Sequence, residues 1–129
     1  MGPLSVYRVE AYSPALEEAL GGLLPQLSPR LSAPTSEWLQ SLLSHPATAL
    51  FVARIGERPV GMLTLVWYDV PSGRKAWIED VVVDAAARGC GAGRALVDAA
   101  LRLAARALYR SCGFNEAETT VFVAKTDRE

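Results

Sequence analysis

The 129-residue sequence holds one histidine, His45, and two cysteines, Cys90 and Cys112. A zinc site takes three or four Cys, His or carboxylate ligands at workable spacing. Nothing here supplies that set, so no metal is expected. Two cysteines do not make a disulfide framework. Long apolar runs are missing as well. None approaches the ~20 residues of a membrane span. The opening MGPLSVYRVE lacks a basic stretch followed by an apolar one, so no signal peptide is expected. An excess of either charge is absent too. Thirteen basic residues oppose fourteen acidic ones, for a net charge of -1. That argues against a general electrostatic grip on nucleic acid or an anionic membrane. The expectation is a soluble cytoplasmic protein that binds neither.

What is present is apolar residue, 50% of the chain. That is enough for a core within one domain spanning 1–129. LSVYRVEAY (Leu4–Tyr12) alternates like a strand. Ser13-Pro14 is a helix start, with Ser as N-cap and Pro at the first helical position. Leu16, Ala19, Leu20, Leu23, Leu24 and Leu27 then trace an apolar stripe. SPRLSAPTS reads as a loop. Thr35 or Ser36 caps a second helix to about Ser44, with Trp38, Leu39, Leu42 and Leu43 facing inward, and Pro46 ends it. TALFVAR, GERP and VGMLTLVWY form a hairpin. DVPSGR reads as a loop, KAWIEDVVV as a strand, GAGRALVDAALRLAARAL as a helix and TTVFVAK as a last strand. The order is β-α-α-β-β-β-α-β, which places the chain in the α/β class, or α+β in other schemes.

Arg88-Gly89-Cys90-Gly91-Ala92-Gly93 follows a strand and opens a helix. The first N–H groups of a helix have no intrahelical partner and carry the positive end of its dipole. Glycines let backbone curl around an anion, and Arg88 and Arg94 can add charge-assisted contacts. This is chemistry for a phosphate. The dinucleotide pattern G-x-G-x-x-G fails, because Arg94 stands at its third glycine. The Walker pattern, with its Gly-Lys-Ser/Thr, is absent. Arg-x-x-Gly-x-Gly after a valine-rich strand remains.

WIEDVVVDAAARGCGAGRAL resembles motif A of the GNAT superfamily, the acetyl-coenzyme A-dependent N-acetyltransferases. ALYRSCGF (Ala107–Phe114) resembles its motif B. The Glu-Asp-x-x-Val pattern is similar to the polyamine-acetyltransferase branch. The resemblance implies a mostly antiparallel central sheet flanked by helices, with acetyl-CoA as cosubstrate. It implies that the pyrophosphate sits on Gly89, Cys90, Gly91, Ala92, Gly93 and Arg94, beside Arg88. Pantetheine would run along the backbone of Val81, Val82 and Val83. An exposed strand edge offers the N–H and C=O groups an amide chain needs.

The implied reaction is direct attack of a primary amine, on a small molecule or a protein, upon the acetyl thioester in a ternary complex. Amines near pKa ~10.4 are mostly ammonium at pH 7, so a proton must be removed. Successive strand residues face opposite sides, so at most one of Glu79 and Asp80 faces the acetyl group. Glu79, on the face of Trp77 and Val81, matches the family position of the base. Asp80 is expected to be a structural or substrate-binding acid. Tyr109 matches the family's tyrosine acid, which protonates the departing thiolate. A backbone N–H within Val81–Val83 would stabilise the oxyanion. Cys90, in the phosphate turn, and Cys112, with no histidine near it, are not expected to be nucleophiles. His45 is expected at the surface or capping a helix. Trp38, Trp67, Trp77 and Tyr68 are expected in the core, with lining of an amine pocket as the alternative, and Asp69 is a weak candidate for amine contact.

The sequence departs from the family between Gly93 and Tyr109. The family has a helix, a fifth strand and a second helix there. Here no β-branched run interrupts the helical pattern, so the usual fifth strand and its connections are missing. An absent internal segment, strand exchange with a second subunit, or a degenerate module that binds acyl-CoA without transfer would each account for this. A domain for another phosphate ligand is the remaining alternative. The exposed sheet edge and the resemblance are both compatible with a homodimer.

Overall fold

Ser13 accepts a hydrogen bond from the Leu16 N–H at 3.1 Å, and Pro14 takes the first position of helix α1 (Pro14–Leu27). Thr35 does the same for the Trp38 N–H at 3.1 Å and starts α2 (Ser36–Ser44). Both caps fall where the sequence places them. In this computed structural model the described residues are 2–112 and 120–123, with side chains as far as 107. The strands are β1 (Leu4–Arg8), β2 (Thr48–Ile55), β3 (Arg58–Val70), β4 (Gly73–Val83) and β5 (Thr120–Val123). A 3-10 turn (Ala85–Ala87) and helix α3 (Ala92–Cys112) separate the last two. No helix among the described residues is long and apolar enough to cross a membrane.

The sheet runs β1-β2-β3-β4-β5. Its first four strands are antiparallel neighbours, and β5 lies parallel to β4. Helix α3 covers one face. Leu96, Ala100 and Ala104 are buried there against Phe51, Leu63, Leu65 and Ile78. Helices α1 and α2 cover the other face, where Leu16, Leu20, Leu23 and Leu39 meet Leu50, Val52 and Met62. Cutting any of these leucines back to alanine costs about 2–5 kcal/mol.

Two details differ from the sequence reading. DVPSGR is not an open loop. Strand pairing continues through Asp69↔Arg74 and Val70↔Gly73, leaving only Pro71 and Ser72 to turn. Arg74 holds Asp69 across the hairpin, with Nη2 donating to Oδ2 at 2.9 Å. The second concerns the wall beside β4. As expected, α3 is unbroken from Ala92 to Cys112. The sheet still gains a fifth strand, because part of the closing TTVFVAK run pairs with Lys75–Ile78 of β4.

Candidate active site

The end of β4 is fixed from three directions. Asp84 accepts from the Ala86 N–H at 3.0 Å and from Arg58 Nη2 at 3.1 Å. Gln26 reaches over from α1, accepting from the Ala85 N–H at 2.9 Å and donating to Asp84 at 3.4 Å. The Ala86 N–H, then Gln26 and Arg58, hold the Asp84 carboxyl below the usual range. Beyond this knot the backbone turns left-handed twice, at Gly89 (φ 87°) and Gly91 (φ 89°). A side chain at such a φ costs about 1–2 kcal/mol. Helix α3 starts one residue later, so its first N–H groups point into the turn without helical partners.

Val81, Val83, Arg88, Gly89, Gly91, Ala92 and Gly93 line one cavity of about 500 Å³. Backbone N–H groups, a helix N-terminus and one arginine converge there, a donor set that fits a pyrophosphate. Three of the expected residues are not on its wall. Val82 is buried on the other face of the sheet, against α1. Cys90 packs against the α3 core, and its N–H donates back to the Ala87 carbonyl at 3.4 Å. Arg94 is exposed on the first turn of α3.

The strand is bulged where the two carboxylates stand. Thr64 pairs with Glu79 and Met62 with Val82, so Leu63 alone faces both Asp80 and Val81. Asp80 takes the extra residue's strain, with φ 52°. Aspartate tolerates the left-handed region better than most residues. The bulge breaks the two-residue alternation. Val81 and Val83 turn to the α3 side, whereas Glu79 shares the α1–α2 face with its partner Thr64. Asp80 lines a cavity on that same face. The expectations that Glu79 and Asp80 oppose each other, and that Glu79 and Val81 share a side, are therefore overturned. The signal was an aspartate, poor in strands, in the middle of a strand.

Beyond Ile78, β4 is paired on one edge only among the described residues. No described residue pairs with the far edge of Glu79–Val83, where the backbone N–H and C=O groups of the strand lie. The second cavity, about 300 Å³, opens on the α1–α2 side of this segment. Its floor is Leu20, Leu39, Leu50 and Met62, all buried. Thr64 and Asp80 also line it, as do Leu31, Pro34 and Trp38. Asp80 is exposed as a residue, yet loss of hydration against the surrounding protein pushes its carboxyl pKa up. One bulged strand thus separates an anion cradle from an apolar cavity that has a carboxylate on its wall.

A sequence model of the acetyltransferase (GNAT) family matches residues 13–119. The chain belongs to the GNAT acetyltransferase family. No curated protein matches it. Among solved structures, an aminoglycoside acetyltransferase from an uncultured soil metagenomic sample, in complex with sisomicin, is 26% identical with a TM-score of 0.76. That match covers 96% of this chain and 78% of the other. A putative acetyltransferase from Agrobacterium tumefaciens is 25% identical, TM-score 0.73, over 97% and 83% of the two chains. A ribosomal-protein-alanine N-acetyltransferase from Brucella melitensis shares the fold at 18% identity, TM-score 0.69, over 97% and 82%.

In this GNAT chain the remaining candidates fall as follows. Tyr109 belongs to α3 by its backbone, and its side chain lies outside the described residues, as do Gly113 and Phe114. Trp38 does not face inward. It is 61% exposed at the apolar cavity, because the buried side of α2 is held by Leu39. Trp67 packs against the α3 core, and Trp77 Nε1 donates to the Tyr68 hydroxyl at 2.8 Å. Asp69 is taken up by Arg74, whose hydrogen bond lowers the Asp69 pKa. His45 caps α2, and its Nδ1 accepts from the Ala47 N–H at 3.1 Å. No group of three or more potential metal ligands occurs among the described residues. Gln26, Arg58, Thr64 and Asp84 were not singled out from the sequence. The roles of Gln26, Arg58 and Thr64 depend on contacts between separate segments, which no local pattern encodes, whereas Asp84 caps the turn that follows it.

Proposed function

We propose that this GNAT chain is an N-acetyltransferase that uses acetyl-CoA and passes the acetyl group to a primary amine by direct attack in a ternary complex. The observation that carries the reading is the pair of cavities flanking the bulged end of β4. Gly89, Gly91, Ala92 and Gly93 with Arg88 would hold the pyrophosphate. The edge of Val81–Val83, unpaired on this side among the described residues, would hold the pantetheine amides through backbone groups. When bound, acetyl-CoA supplies an acetyl group activated as a thioester.

The residues of the chain divide the proton work. Glu79, facing the α1–α2 side beside Asp80, takes a proton from the acceptor ammonium, directly or through water. Tyr109 returns a proton to the sulfur. A backbone N–H of the Val81–Val83 segment supports the carbonyl oxygen. Cys90 packs into the core and takes no part. The acceptor is a small amine or a protein amino group.

The test is CoA release from acetyl-CoA across an amine panel, alongside thermal stabilisation by acetyl-CoA, NAD and ATP. Acetyl-CoA alone is expected to stabilise the protein. Glu79→Gln and Tyr109→Phe are each expected to cut kcat by about 10²–10⁴-fold, with stabilisation retained. An unchanged Tyr109→Phe enzyme would sink the tyrosine's role. Stabilisation with no turnover on any amine would leave a module that binds acyl-CoA without transfer.

A further inference from the structure

The cavity on the α1–α2 side holds more information than its place beside the bulge. Its floor is leucine and methionine, and among the described residues Asp80 is the one charged residue on its wall. No hydrogen bond or ion pair engages that carboxylate among the described residues. Asp69 and Asp84, by contrast, are each neutralised by an arginine. Two large apolar residues, Trp38 at 61% and Leu31 at 40%, stay exposed around the same cavity. Exposed apolar surface of this size, next to a cavity, is surface that a ligand can cover.

We propose that the acceptor site takes a primary amine with a single cationic head and an apolar body, the ammonium on Asp80 and an alkyl chain or aromatic ring among Leu39, Leu50 and Trp38. This rests on the acetyl-transfer reading above and names the substrate class for it. A second ammonium reaching past Asp80 into the cavity would lie mostly among leucines, and among the described lining residues only the Ser32 and Thr64 hydroxyls could replace part of its hydration. The site therefore discriminates against polyamines and aminoglycosides, although the sequence motif resembles the polyamine branch and a similar solved structure holds sisomicin. The bulge places the amine next to Glu79: Thr64 lines the cavity and pairs with Glu79.

Direct binding to the full chain without acetyl-CoA tests this, so that the outcome does not depend on turnover. The probes are 2-phenylethylamine, hexylamine, 2-phenylethanol, spermidine and kanamycin, followed by ligand-observed NMR and calorimetry. The two monoamines are expected to bind about tenfold or more tightly than spermidine or kanamycin. Asp80→Asn is expected to weaken 2-phenylethylamine about tenfold and to leave 2-phenylethanol within about twofold. Trp38→Ser is expected to weaken both. Spermidine or kanamycin binding as well as the monoamines, no monoamine binding, or an Asp80→Asn variant that binds 2-phenylethylamine unchanged would each overturn the proposal. None of those results bears on stabilisation by acetyl-CoA, so the two readings fail separately.

Discussion

The Ala85 N–H donates to the side-chain oxygen of Gln26 at 2.9 Å, across 59 positions of sequence. This bond ties the last stretch of α1 to the approach to the glycine turn. Gln26→Leu keeps the bulk and removes the acceptor. One such bond contributes about 0.5–1.5 kcal/mol, and here it orients the cradle. Affinity for acetyl-CoA is expected to fall about 2- to 10-fold, read by calorimetry, with kcat at saturation unchanged.

The three glycines of the turn are not equivalent, and alanine separates them. Gly91→Ala forces a side chain into the left-handed region and should destabilise the fold by about 1–2 kcal/mol. Gly93 has no positive φ, and an added methyl would meet only Val83 Cγ2 at 3.6 Å. In the first turn of α3, alanine there should raise stability, by up to about 1 kcal/mol. The same methyl narrows the cradle. Gly93→Ala is therefore expected to melt higher and bind acetyl-CoA more weakly. Gly91→Ala should lose on both measures.

The cradle was readable because it is local: strand, glycines and helix start follow each other within a dozen residues. The caps at Ser13 and Thr35 were readable for the same reason. The bulge was not. Whether Asp80 and Val81 share one partner depends on the register against Leu63, and strand propensity carries no register. The exposure of Trp38 escaped as well. An apolar stripe says which side chains can be buried, while the packing of α2 against β2 decides that Leu39 is the one.

Burial raises the Asp80 pKa above its ordinary 3.8. Such a group binds its proton more tightly folded than unfolded. Its contribution to stability is complete below the unfolded value and is lost as pH rises through the folded one. Asp80→Asn removes that loss, and asparagine also accepts φ 52°. The variant is expected to melt a few degrees higher at most at pH 7, since solvent screens a partly exposed carboxyl. The gap should close in melts below about pH 4.

Arg74 Nη1 donates to the Ala107 carbonyl at 3.4 Å while its other nitrogens hold Asp69. The β3–β4 hairpin is thereby joined to α3 two residues ahead of Tyr109. Arg74→Ala loses the ion pair to the exposed Asp69, which contributes about 0–1 kcal/mol. If Arg74 positions the tyrosine, kcat should fall severalfold with the KM for acetyl-CoA unchanged. Equal changes in both would point to a general loosening.

The order of the sheet has a consequence for assembly. The pairings among β2, β3 and β4 are hairpin pairings between chain neighbours, which close quickly. The parallel pairing of Lys75–Ile78 with Thr120–Val123, like that of β1 with β2, joins segments far apart in sequence. Among the described residues it engages four of each strand. Amide exchange at Thr120–Val123 is therefore expected to run well ahead of exchange at Leu63 and Leu65. The short wall that β5 adds beside β4 is therefore expected to be among the first parts of this sheet to come away.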